Sequence, residues 1–233
     1  MKKITLLALL LITTLLVQAQ VTPRNILIQK YSQDQVKQTL LAYGQYKPYP
    51  TTAAEWKAAV PDSVLKKIVQ AGEAQLSYTF EPISATISLD YKRSGDRERH
   101  SGISFGKRNA LMELILAESV EDKGRFTEAI LNGVWSICEE SYWGVPAHIS
   151  GTGLPDVENP VVDLFTAETA AVLGMADYFA GAKMDAVNPL FRKRIYHETN
   201  QRFFNPMLTN GDRYGWMSKT RPVNNWNPSI MSN

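Results

Sequence analysis

Cysteine is nearly absent from this chain. Cys138 is the only one among 233 residues, so no internal disulfide can form and no Cys-based metal cluster is available. Cys138 follows Ile137 in a helical pattern, which predicts a buried structural thiol. An excess of charge is missing as well. Lys2 and Lys3 stand in a basic start followed by an apolar run from Ile4 to Val17, and Val17-Gln18-Ala19 has the small-residue pattern of a cleavage site. Residues 1–19 are therefore expected to be a signal peptide cut after Ala19, which sends the chain to the periplasm or outside the cell. No cysteine sits at the cut, so no lipid anchor is expected there. Without Lys2 and Lys3 the 25 basic residues become 23, equal to the 23 acidic ones. That balance gives no electrostatic case for nucleic acid or for a membrane surface. No later run reaches the roughly 18 apolar residues of a membrane helix. There is no internal repeat and no low-complexity tract.

What remains is mostly helical periodicity. Ser32 opens a helix toward Tyr43. Thr52-Ala-Ala-Glu55 is a capping box leading into a second helix, Pro61 interrupts it, and Asp62 restarts the pattern toward Gln75. The alternation in Thr86-Ile-Ser-Leu-Asp90 predicts a short β segment near residues 84–92, and Arg93–His100 reads as a charged loop. Helices then run from Phe105 to Glu121 and from Arg125 to about Glu140. Asp163 can cap the next helix, and Asn188-Pro189 opens one reaching about Phe204. The fold class is all-α, with helical hairpins joined by long aromatic loops after Glu140 and after Asn205.

The loops carry the chemistry. In Cys138-Glu-Glu-Ser-Tyr-Trp-Gly-Val-Pro-Ala-His148 a helix delivers two carboxylates, Glu139 and Glu140, to its end, and the loop presents Tyr142, Trp143 and His148. A Trp face suits the apolar face of a sugar ring, while Glu and His can bond its hydroxyls. The second constellation is Asn224-Asn225-Trp226-Asn227 between Pro222 and Pro228. Asn offers an acceptor and two donors without charge, so it can bond a carboxylate and never titrates; the same composition also suits a turn. Trp56 and Trp135 fall in helical patterns and are expected in the core, whereas Trp143, Trp216 and Trp226 fall in loops. Glu139, Glu140, Asp156 and Asp163 could supply a carboxylate pair, Asp163 being more simply a helix cap. Arg192-Lys-Arg194 reads as a solvated helix face.

Three stretches, "KGRFTEAILNGVWSICEESYWGVPAH", "DLFTAETAAVLGMADYF" and "NNWNPSIMSN", resemble the heparinase II/III-like family of polysaccharide lyases, in matching order over roughly residues 105–233. The resemblance implies an incomplete (α/α) toroid, with residues 20–233 as the N-terminal part of the catalytic domain and its remainder and a following β-sandwich not included. It implies a lyase that cleaves uronate-containing acidic polysaccharide by β-elimination, the fragment alone being inactive. It assigns substrate-carboxylate binding to Asn225 first, with Asn224 and Asn227 as neighbours, and makes Glu140 and His148 cleft residues with catalytic roles. Tyr142, Trp143 and Trp226 then line the substrate. The family's catalytic Tyr lies downstream of the Asn motif; Tyr142 and Tyr214 are the nearby tyrosines. No cofactor or metal is implied. A toroid glycoside hydrolase using the acidic residues and a non-catalytic glycan-binding protein are the alternatives.

Overall fold

The computed structural model describes residues 26–42, 45–149, 151–209, 214, 225, 229, 230 and 232. The expected signal peptide lies outside them. Every regular element among the described residues is helical: α1 (Ile26–Lys30), α2 (Gln33–Thr39), α3 (Ala53–Ala59), α4 (Asp62–Gln75), α5 (Ala85–Ser94), α6 (Glu98–Glu121), α7 (Thr127–Cys138), a 3-10 turn (Pro146–His148), α8 (Leu164–Val187), α9 (Leu190–Thr199), a π turn (Asn200–Phe204) and α10 (Asn205–Thr209). None of these helices is long and apolar enough to cross a membrane.

The predicted starts hold where a side chain caps the helix. Ser32 and Gln35 form a capping box at α2, as do Thr52 and Glu55 at α3. Pro61, which has no N–H to donate, separates α3 from α4. Trp56 packs into the core and donates from Nε1 to Ser119 Oγ at 2.8 Å, which docks α3 on α6.

The short β segment is overturned. Residues 85–94 are α5, capped by Ser84, whose hydroxyl accepts from Ile87 N, and closed by Gly95 in the left-handed region at φ 80°. The alternation of Ile87 and Leu89 with polar neighbours is too short to outweigh these two end signals. The charged loop is also shorter than expected, because α6 begins at Glu98 rather than near Phe105. Asp96 Oδ1 accepts from Glu98 N at 2.8 Å, and the first turns bury His100, Ser104, Lys107 and Arg108. A helix whose inward face is polar has no apolar period to read.

α6 is the central element. Its C-terminal half inserts Leu111, Leu114 and Ile115 into one core with Phe126, Ile130, Val134 and Ile137 of the α7 region and Leu173, Ala176 and Met184 of α8. A smaller cluster of Trp56, Leu65 and Val120 joins α3 and α4 to the same helix. The α6–α7 corner is held by the buried Glu118, whose carboxylate accepts from Gly124 N at 2.7 Å and Phe126 N at 3.0 Å and pairs with Lys183. Trp135 departs from expectation: it is 49% exposed, edge-on to Phe191 and under the Arg194 guanidinium. Arg192 is likewise more than a solvated side chain, since it bridges Asp177 and Asp185 at 2.6 Å each.

Two predictions follow from this packing. A methyl group at Gly72 would collide with the Cβ of Ala117 and reach Glu113 O at 3.0 Å. Gly72→Ala gains about 1 kcal/mol of helix propensity, but overpacking against a rigid neighbour costs about 1–3 kcal/mol, so a net fall in the urea midpoint is expected. Cys138 is fully buried, and desolvation pushes its thiol up to about 12. Iodoacetamide should leave it unmodified at neutral pH until urea unfolds the chain, as mass spectrometry would read.

Candidate functional site

The end of α7 delivers Glu140 into the polar half of α6. Arg108 grips its carboxylate through both terminal nitrogens, at 3.0 Å to Oε1 and 2.6 Å to Oε2, and Lys107 Nζ adds a bond of 3.1 Å to Oε1. Arg108 also donates to Thr169 Oγ1 on α8 at 2.9 Å and to Ser104 O at 3.0 Å. The Lys107 side chain is 0% exposed and that of Glu140 3%. Glu140 was expected as a cleft residue, and it does line a neighbouring cleft. Its carboxylate is also the counter-ion of two buried cations, because Lys107 and Arg108 could not be buried without one.

A second cluster meets the first on the N-terminal face of α8. Asp163 caps that helix through Oδ1, which accepts from Thr166 N at 2.8 Å and Thr166 Oγ1 at 3.0 Å. Its other oxygen, Oδ2, lies 2.7 Å from His148 Nδ1, 3.2 Å from Val145 N and 3.5 Å from Tyr142 Oη. Asp163 is 0% exposed, whereas the His148 side chain retains 22% exposure and stacks on Phe165 at 12° between planes. Gly144 permits this convergence, since a Cβ there would collide with the Tyr142 hydroxyl and stand 2.5 Å from Asp163 Oδ2. The Tyr142 hydroxyl is held far above its ordinary pKa, first by burial and then by the adjacent Asp163 carboxylate. At neutral pH it is a donor. Thr166 and Thr169 stand one turn apart, so the two clusters share one wall of α8.

Beside these clusters lies a cleft of about 980 Å³ between Ile149 with residues 151–161 and the α9–α10 segment. Glu139, Tyr142, Asp156, Asn159, Arg194 and Gln201 contribute to its walls. Trp143 contributes too, but it was expected as an exposed stacking face and is 1% exposed. Its Nε1 donates to Ile137 O at 2.9 Å and the Arg202 guanidinium covers its ring at 5.1 Å. Arg202, on the π turn, also donates to the carbonyls of Cys138 and Glu140 and pairs with Glu198. It thereby satisfies the open end of α7. His148 is not on this wall; it joins it through Asp163, which bonds both Tyr142 and Thr166.

The structure therefore brings His148, Tyr142, Asp163 and Glu140 to one region. Asn225 is exposed, and its carbonyl accepts from Ser229 Oγ at 2.7 Å. No described contact joins it to His148 or Glu140. Asn224, Trp226 and Asn227, and Trp216 with them, lie outside the described residues. Sequence reasoning missed His100, Lys107 and Arg108. Their one signal is spacing: with Ser104 they fall at i, i+4, i+7 and i+8, a single helical stripe. Among the described residues no three His, Cys, Asp or Glu side chains converge as metal ligands would.

Removing the charge of Glu140 tests the counter-ion assignment. Glu140→Gln leaves Lys107 and Arg108 buried without an anion and should cost about 3–5 kcal/mol of stability. The exposed neighbouring pair Glu139–Arg194 sets the control, since Glu139→Gln should cost no more than about 1 kcal/mol. Urea unfolding of both variants reads the difference. No protein-family model matches the chain, and no curated protein matches it.

Proposed function

We propose that this chain is the helical, toroid-type part of an exported polysaccharide lyase, acting by β-elimination on a uronate-containing polysaccharide, with His148 as the proton-transfer group. The observation that carries the reading is the buried carboxylate of Asp163 at 2.7 Å from His148 Nδ1. A carboxylate on one ring nitrogen fixes the orientation of the imidazole and assigns proton exchange to the other, Nε2. In the reaction the C–H bond beside the uronate carboxylate breaks and His148 takes the proton. The electron pair forms a carbon–carbon double bond, the bond to the β oxygen breaks, and that oxygen leaves as a hydroxyl after taking a proton. No water is consumed. The obstacle is a second negative charge developing beside the carboxylate, and uncharged or protonated donors disperse it. Asn225 is the uncharged amide assigned to this role by resemblance. The hairpin pairings around α6 are the kind from which a toroid is built. A helical bundle of other connectivity would serve the same site.

A second reading has one observation in its favour. Among the described residues the cleft wall carries four carboxylates, Glu139, Asp156, Glu158 and Glu198, against the guanidiniums of Arg194 and Arg202, the carboxylate of Glu140 being balanced by Lys107 and Arg108. That balance favours a neutral glycan in the cleft, held for binding or hydrolysis rather than elimination. Hydrolysis through Glu140 is disfavoured by its pairing with Lys107 and Arg108.

The full-length protein should convert heparin-, alginate- or chondroitin-type polysaccharide to products with the ultraviolet absorbance of an unsaturated uronate. His148→Ala should lower kcat/KM by about 10²–10⁴-fold, the range of general acid–base catalysis. Absence of the chromophore with all three substrates, or a His148→Ala variant at wild-type rate, contradicts the proposal.

A further inference from the structure

The solvent side of α7 carries one residue that solvent does not call for. Glu128, Asn132, Trp135 and Glu139 are exposed at i, i+4, i+7 and i+11, a single stripe opposite the buried Ile130, Val134 and Ile137. Three of them are polar, and the fourth is the largest exposed apolar side chain among the described residues. A single exposed apolar residue is ordinary in itself. Trp135 differs in how firmly its surroundings hold it. Arg194 covers the indole at 5.5 Å, and its guanidinium is fixed by Glu139 at 3.0 Å and Glu198 at 2.6 Å. Phe191 meets the ring edge-on at 6.1 Å. The ring is thus ordered before any ligand arrives, which lowers the entropy cost of binding. Its polar edge is also unspent. Trp56 and Trp143 donate their indole N–H to Ser119 Oγ and Ile137 O, whereas no acceptor among the described residues takes that of Trp135.

The stripe joins two hollows. At its C-terminal end Glu139 and Arg194 are wall residues of the cleft of about 980 Å³. At its N-terminal end Glu128 and Asn132 line a smaller hollow of about 220 Å³ with Tyr78, Phe80 and Arg125. Trp135 stands between them, one turn from Asn132 and one from Glu139. By the rise of an α-helix the stripe is about 16 Å long, longer than a single sugar ring. Its cations are already paired, Arg194 with Glu139 and Glu198, Arg125 with Glu73 and Glu121. A ligand therefore gains little here from charge. It gains from a flat apolar face with one polar edge, which matches the C–H face and the hydroxyl rim of a pyranose. Along the stripe the apolar surface is one ring wide, with Asn132 and Glu139 on either side, whereas a protein interface has a broader apolar centre.

We propose that the outer stripe of α7 is a glycan-binding track outside the cleft, on which Trp135 stacks a sugar ring of a chain that continues from the cleft toward the smaller hollow. This rests on the polysaccharide of the reading above but not on elimination, since a hydrolase or a binding protein would use the same track. Only a long chain reaches Trp135 while its end lies in the cleft. The track therefore selects for chain length and leaves the identity of the sugar to the cleft.

The test compares binding of an alginate-derived uronate disaccharide and decasaccharide to the full-length protein by titration calorimetry. The wild type should prefer the decasaccharide. Trp135→Ala should shrink that preference by about tenfold, the effect of losing one well-placed aromatic contact. Trp135→Tyr keeps a flat ring and should restore most of it, both variants unfolding near the wild-type urea midpoint. The Trp135 indole N–H resonance should move with the decasaccharide and not with the disaccharide. An unchanged preference in Trp135→Ala, or an equal loss in the Ala and Tyr variants, overturns the proposal. Self-association of the wild type that Trp135→Ala abolishes also overturns it, because the ring would then be an interface between copies. Decasaccharide binding without a shift at Trp135 refutes the track alone. If maltooligosaccharides bind and move Trp135 while the uronates do not bind, the track stands and the uronate reading falls. If neither class binds, both fall.

Discussion

The carboxylate of Glu140, buried between Lys107 and Arg108, is the interaction on which the rest of this structure depends. A Lys side chain at 0% exposure and an Arg at 6% cannot sit inside a helical core without an anion. Glu140 supplies it from the end of α7, and Arg108 extends the same network to Thr169 on α8. Three elements are thus fixed at one point by groups whose separation would leave a bare charge. Arg202 seals the point from the cleft side by binding the carbonyls of Cys138 and Glu140. The cost of a wrong arrangement is high, which makes the arrangement specific even if its net contribution to stability is small.

Asp163 repeats this economy on a smaller scale. One oxygen starts α8 and the other orients His148, so the imidazole is referenced to a 24-residue helix rather than to a loop. Site precision follows from rigid support, and here the support is a buried carboxylate with five described contacts. Tyr142 and Gly144 complete the wall, the tyrosine as a donor and the glycine by the absence of a side chain.

The sequence disclosed those parts of the fold that local rules dictate. The helix start at Ser32, the capping box at Thr52, the break at Pro61 and the Asp163 cap were all legible, because a cap is a short-range signal. The start of α6 was not, because Glu98, His100 and Ser104 look like loop residues until the tertiary structure buries His100 and Ser104. The short strand failed for the opposite reason: two alternating apolar residues imitate a strand over any brief window, while Ser84 and Gly95 delimit a helix. Trp143 and Trp135 exchanged places. Loop membership suggested exposure for the first and helix membership suggested burial for the second, yet exposure follows the face a residue presents, and that face is set by neighbours distant in sequence. His148 was legible as rare chemistry in a structured loop. Its partner Asp163 was legible as a cap and as a candidate carboxylate, but not as the partner of His148, since the reach of a carboxylate's second oxygen leaves no trace in the sequence.

The central claim is that this site eliminates rather than hydrolyses. Digestion of alginate-type uronate polysaccharide by the full-length protein in heavy-oxygen water tests it most directly, with the new chain ends weighed by mass spectrometry. Elimination breaks the bond without consuming water, so the account predicts products one water lighter than hydrolysis would give and free of solvent oxygen. Incorporation of one heavy oxygen at each newly formed reducing end would contradict it.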